Sequence, residues 1–66
     1  MIEKLKNILP CGCYKLLEYH FVDNRRIAYN KQNIIDFLLF QAEIDKNLAP
    51  DDVNHWLAAI KIMQVI

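Results

Sequence analysis

Apolar side chains recur at helical spacing in the first segment of the chain. Ile2, Leu5 and Leu9 fall on one helical face. Pro10 then ends the segment because it lacks an N–H donor and restricts the residue before it. Together with Gly12, the only glycine, Pro10 indicates a helix stop followed by a tight reversal.

The second segment, residues 14–22, fits two structures. A helix would place four side chains on one face: Cys13, Leu16, Leu17 and His20. A strand would alternate, and a turn at residues 23–24 could pair it with residues 25–29 in a β-hairpin. We favour a helix over 14–22 with an extended segment at 25–29. A short β-hairpin around 19–29 is the alternative.

The third segment, residues 31–48, begins after Asn30, whose side chain is a favourable N-cap. Five apolar positions form its main stripe: Ile34, Phe37, Leu38, Ile44 and Leu48. Phe40 projects away from that stripe, among polar side chains. This pattern predicts a central helix that buries one broad face.

A fourth helix is predicted to begin at Pro50, which suits a first helical position. Asp51 and Asp52 follow in the first turn, where the helix dipole favours acids. Its stripe holds five residues: Val53, Trp56, Leu57, Ile60 and Met63. Ile62 and Val65 point the other way. The short connection before Pro50 predicts an antiparallel αα-hairpin.

The expected fold is therefore mostly α, a bundle of three to four short helices in a single small domain spanning residues 1–66. A chain of 66 residues is near the lower limit for folding on its core alone. Its hydrophobic fraction, 55%, exceeds the roughly 45–50% usual for globular domains. We therefore expect apolar surface to remain exposed and to be covered by a partner.

Composition excludes most familiar enzyme classes. The chain contains no serine or threonine, and one glycine cannot build a phosphate-binding loop. Eight basic and eight acidic side chains balance, which disfavours nucleic acid or an acidic membrane as the main partner. No apolar run reaches the ~18 residues of a membrane span. With two cysteines and no secretion signal, a cytoplasmic location is expected.

Two cysteines and two histidines raise the possibility of a metal site. Cys11, Cys13, His20 and His55 could together bind zinc with tetrahedral geometry. However, Cys-x-Cys is not the usual zinc spacing, and the histidines are far apart in sequence. A dithiol redox role is also disfavoured, because the usual redox motif is Cys-x-x-Cys and this chain has Cys-x-Cys. We expect no cofactor, and a structural zinc protein is the third hypothesis.

The second hypothesis is a small helix-turn-helix-like regulator that binds DNA or RNA through residues 15–31. Its candidate contacts are Lys15, Arg25, Arg26 and Lys31, interleaved with aromatic rings. Acidic side chains on the third helix would repel phosphate. Four basic side chains would also displace few of the counterions that surround a nucleic acid, so their contribution to affinity is limited.

The favoured hypothesis is a non-catalytic intracellular interaction module, of adaptor or inhibitor type, that docks an apolar helical face on another protein. Five residues are its candidate contacts: Phe40, Ile62, Val65, Tyr29 and Trp56. Homodimerisation is also expected, because the last helix is apolar on several faces. Abundant isoleucine, asparagine and lysine are consistent with AT-rich coding, as in a phage or mobile element.

Overall fold

The computed structural model describes residues 1–23 and 27–66, and every described regular element is helical. A 3₁₀ helix, Ile2–Leu5, opens the chain. Helix α1, Cys11–Glu18, continues into a π-helical turn, Tyr19–Asp23. Helices α2, Lys31–Leu48, and α3, Pro50–Val65, complete the fold. The predicted mostly α class is confirmed.

The N-terminal segment differs from its prediction in two respects. Its regular part is one 3₁₀ turn, in which the Lys6 N–H bonds the Glu3 carbonyl at 3.2 Å. Beyond it, the Ile8 and Leu9 N–H groups both donate to the Leu5 carbonyl, at 3.1 and 2.9 Å, so a turn follows in place of a regular α-helix. The expected reversal at Gly12 is wrong, because Pro10 is the N-cap of α1 and Gly12 has no positive φ.

Helices α2 and α3 form the predicted hairpin, with Ala49 as the only residue between them. The Asn30 side chain accepts a 2.9 Å bond from the Asn33 N–H, as expected for an N-cap. Pro50 takes the first position of α3, where its missing N–H costs nothing. Both predicted helix starts are confirmed.

A single cluster of buried side chains joins the 3₁₀ helix, α1, α2 and α3. The largest fully buried members are Trp56, Ile2, Leu5, Leu17, Ile34, Leu38 and Met63. Three predicted stripe residues are exposed instead: Ile44, Leu48 and Leu57. The apolar sectors of α2 and α3 are wider than the area that neighbouring elements cover.

The strand alternative fails for residues 19–23, which are helical. Part of the segment predicted as extended, residues 25 and 26, lies outside the described residues. Ile27 packs against the core, and Ala28 and Tyr29 form no regular element.

Candidate functional site

An exposed apolar stripe runs along α2. Phe40, Ile44 and Leu48 are separated by four residues each, so they follow one another along the same side of the helix. Their exposed fractions are 62%, 36% and 78%. We call these three residues the α2 stripe.

Acidic and amide side chains border the α2 stripe on both sides. Asp36 and Glu43, both exposed, lie one helical turn from Phe40 on the outer side. Gln41 and Asp45 lie on the inner side and are partly buried. No lysine or arginine of α2 falls in either border, so the stripe has an acidic frame.

A cleft of about 310 Å³ opens on the inner side of the α2 stripe, beside the N-terminal end of α1. All three α-helices contribute to its walls, which are formed by Pro10, Gly12, Cys13, Leu16, Gln41, Asp45, Asp52 and Trp56. The cleft therefore combines apolar walls with two carboxylates.

A hydrogen bond fixes one of those carboxylates. The Trp56 Nε1–H donates to Asp45 Oδ2 at 2.6 Å, which links α3 to α2. The indole is 1% exposed and meets the Phe37 ring edge to face, with centroids 6.3 Å apart. The His20 and Phe37 rings also pack together, tilted by 32° with centroids 4.3 Å apart. Of these rings, Trp56 lines the cleft, and Phe37 and His20 pack behind it.

The predicted partner contacts occupy different environments. Phe40 is exposed, and Val65, 85% exposed, lies at the end of α3. Ile62 is half-buried and packs against the core. The Tyr29 hydroxyl accepts a 2.8 Å bond from the Ile2 N–H. Trp56 is inside the core, so Phe40, Val65 and Tyr29, which is 36% exposed, remain the accessible candidates.

The candidate zinc ligands do not converge. Within the described residues, which include Cys11, Cys13, His20 and His55, no three histidine, cysteine or acidic side chains are grouped to hold a metal ion. Cys11 is exposed and Cys13 is buried, and neither forms a disulfide. Burial, followed by the charges of Asp52 and Asp45, raises the pKa of the Cys13 thiol.

The structure describes two of the four candidate nucleic-acid contacts, Lys15 and Lys31. Lys15 is exposed on α1. Lys31 Nζ approaches the Gln64 carbonyl at 3.4 Å, near the C-terminal end of α3. Arg25 and Arg26 lie outside the described residues. Binding of nucleic acid by this region stays a prediction.

Sequence reasoning missed most of the α2 stripe and all of the cleft. Helical periodicity predicts Ile44 and Leu48 in the core stripe, although they also follow Phe40 at spacings of four and eight residues. The cleft depends on Asp45 facing Trp56, a pairing set by the register of the α2–α3 hairpin. No local pattern contains that information.

Within residues 1–23 and 27–66, no helix is long and apolar enough to cross a membrane. Comparison of the chain with protein-family models, with curated proteins and with solved structures gives no match in any of the three.

Proposed function

We propose that this chain is a non-catalytic interaction module, of adaptor or inhibitor type, that docks another protein on the α2 stripe. The observation that carries the proposal is the alignment of Phe40, Ile44 and Leu48 on one side of the longest helix. Exposed apolar side chains scattered singly are ordinary, whereas three in register offer a continuous contact.

The spacing of the α2 stripe suits a helix or groove on the partner. Anchors one helical turn apart are the pattern by which amphipathic helices dock. Full burial of a large apolar side chain is worth ~1.5–3 kcal/mol, and Phe40 and Leu48 are more than half exposed. Their burial would therefore supply much of the binding energy of a small interface.

The acidic frame favours a different protein over a second copy on this face. Two copies of α2 packed on their stripes would bring Asp36, Glu43 and Asp45 of each close to those of the other. Like charges across an interface disfavour binding, whereas a basic partner would be attracted. A homodimer would use the end of α3 instead, where Val65 and Ile66 are exposed.

We also propose that the protein acts in the cytoplasm. Both thiols are free in the structure, and a reducing compartment preserves free thiols.

The test compares Phe40→Asp with Leu39→Asp. Leu39 is a matched control because it is half-exposed on the same helix but lies outside the stripe. Affinity capture from the source cells, quantified by mass spectrometry, should recover a protein with wild type and Leu39→Asp and lose it with Phe40→Asp. Circular dichroism would verify that both variants are folded. Equal recovery by all three proteins contradicts the proposal.

Light scattering on the same three proteins and on Val65→Asp separates the homodimer from the heterologous complex. A dimer that survives Phe40→Asp and dissociates with Val65→Asp places self-association at the end of α3. A dimer that dissociates only with Phe40→Asp means that a second copy covers the α2 stripe, which overturns the proposed occupant.

A further inference from the structure

We propose that the cleft between the N-terminal end of α1 and helices α2 and α3 receives a cationic side chain, lysine or arginine, of the docked protein. This inference specifies the chemistry of the partner and rests on the proposed function for its biological setting. The recognition itself is a property of the cleft and can be tested without any partner.

The cleft is large enough to admit a long side chain. Sites for drug-sized ligands and cofactors occupy ~300–1,000 Å³, and this cleft, at about 310 Å³, lies at the lower end of that range. Pro10, Leu16 and Trp56 form apolar walls. Long basic side chains bury their methylene stems against such surface while the charged end makes polar contacts.

Two carboxylates provide the partner for the charged end. Asp45 uses Oδ2 to accept the bond from the Trp56 Nε1–H, which holds the carboxylate in one orientation and leaves Oδ1 as an acceptor. Asp52 lines the same cleft from the first turn of α3. Cys13 lines the cleft as well, together with Asp45 and Asp52.

The N-terminal dipoles of α1 and α3 do not neutralise these acids. A helix N-terminus is equivalent to roughly +0.5 elementary charge, so the two N-termini offset about half of the charge of two carboxylates, about −2, and leave the cleft negative by about −1. The one ion pair in the described part of the chain joins the N-terminal amine to Glu3 and involves neither acid. The described residues therefore leave a negative cleft that a cation would complement.

The cleft adjoins the α2 stripe through shared neighbours on one helix. Gln41 and Asp45 line the cleft, and Ile44 lies between them in sequence with its side chain on the stripe. A partner that covers the stripe could therefore insert a basic side chain into the cleft.

The experiment uses N-acetyl-arginine-amide and N-acetyl-lysine-amide as probes, with N-acetyl-citrulline-amide as the neutral analogue of arginine. Binding is followed by ¹H–¹⁵N NMR at the Trp56 indole N–H and the Gly12 and Cys13 amides. We expect saturable shifts with both cationic probes and at least fivefold weaker binding of citrulline. Equal shifts with citrulline, or no saturable shift with either cation, overturn the inference.

Variants assign the binding to the cleft. Asp52→Asn should weaken arginine-amide binding about fivefold, the loss of one partly exposed ion pair. Asp51→Asn is the matched control, because Asp51 is also acidic and in the first turn of α3 but does not line the cleft. Unchanged binding by Asp52→Asn, or equal weakening by Asp51→Asn, overturns the assignment.

Phe40→Asp separates this inference from the proposed function. That variant should lose the partner protein and keep arginine-amide binding, because Phe40 lies outside the cleft. If the α2 stripe is not the docking surface, capture fails to respond to Phe40→Asp while Asp52→Asn still weakens probe binding. If the cleft is not a cation site, the probes fail while capture still depends on Phe40.

Discussion

The hydrogen bond between Trp56 and Asp45 should couple the two helices of the hairpin energetically. Asp45→Ala removes the acceptor at 2.6 Å and leaves the buried indole N–H without its partner. A hydrogen bond to a charged group contributes ~1.5–3 kcal/mol, and partial exposure of Asp45 places the expected loss near the lower end. Alanine regains about 0.5 kcal/mol of helix propensity. The net destabilisation should therefore be about 1 kcal/mol.

Such a loss is large for this protein. A core of this size rarely supplies more than ~3–5 kcal/mol, so Asp45→Ala removes a sizeable fraction of the total stability. Urea unfolding should be followed by far-ultraviolet circular dichroism in every variant and also by the fluorescence of Trp56, the only tryptophan, in the variants that keep it. An osmolyte added to every sample would stabilise the folded state, so that the least stable variants still show a folded baseline.

A double-mutant cycle isolates the bond from the propensity gain. Asp45→Ala, Trp56→Phe and the double variant should give a coupling free energy of ~1.5 kcal/mol, because both changes remove the same interaction. Asp36→Ala is the control: its acceptor serves Gln32 on the same exposed helix face, where a pair is worth ~0.2–0.5 kcal/mol. A coupling free energy below about 0.3 kcal/mol would refute the reasoning, because pairs of residues that do not touch deviate from additivity by a similar amount.

Three other changes test local features. Asn30→Ala should lower the free energy of unfolding by ~1 kcal/mol, whereas Asn30→Asp should preserve the cap. Denaturant titration would compare the two variants with wild type, and equal stability of all three proteins would contradict the capping role. Gly12→Ala should raise the free energy of unfolding by about 0.5 kcal/mol, since its φ is negative and an added Cβ meets open space; a lower unfolding temperature in calorimetry would contradict this. At pH 8 iodoacetamide should modify Cys11 well before Cys13, because burial and two nearby acids raise the pKa of the Cys13 thiol and reduce its thiolate fraction. Peptide mass spectrometry would measure both sites, and equal rates in the native protein would refute the difference.

The features that the sequence predicted best depend on neighbouring residues alone. Asn30 caps α2 and Pro50 begins α3 because capping and proline geometry act within one turn. Gly12 failed as a turn signal because glycine also adopts ordinary helical dihedrals, and Pro10 can precede a helix as well as end one.

The features that the sequence could not predict depend on packing between elements. Helical periodicity identifies which side chains share a face but not how far a neighbouring helix extends over it. Ile44 and Leu48 were therefore expected in the core and are exposed. On α3, Ala59 is fully buried whereas Leu57 is not, although leucine is the more hydrophobic. The cleft needs α1, α2 and α3 together, and only the assembled fold contains it.

The bond from the Ile2 N–H to the Tyr29 hydroxyl also bears on the order of folding events. It closes a loop of 27 residues, whereas the α2–α3 hairpin forms through a single connecting residue, Ala49. Closing a longer loop costs more chain entropy, so the hairpin should assemble first and the N-terminal half should dock on it afterwards. Tyr29→Phe should then speed unfolding and leave the refolding rate nearly unchanged, because an interaction formed after the transition state affects only the unfolding barrier.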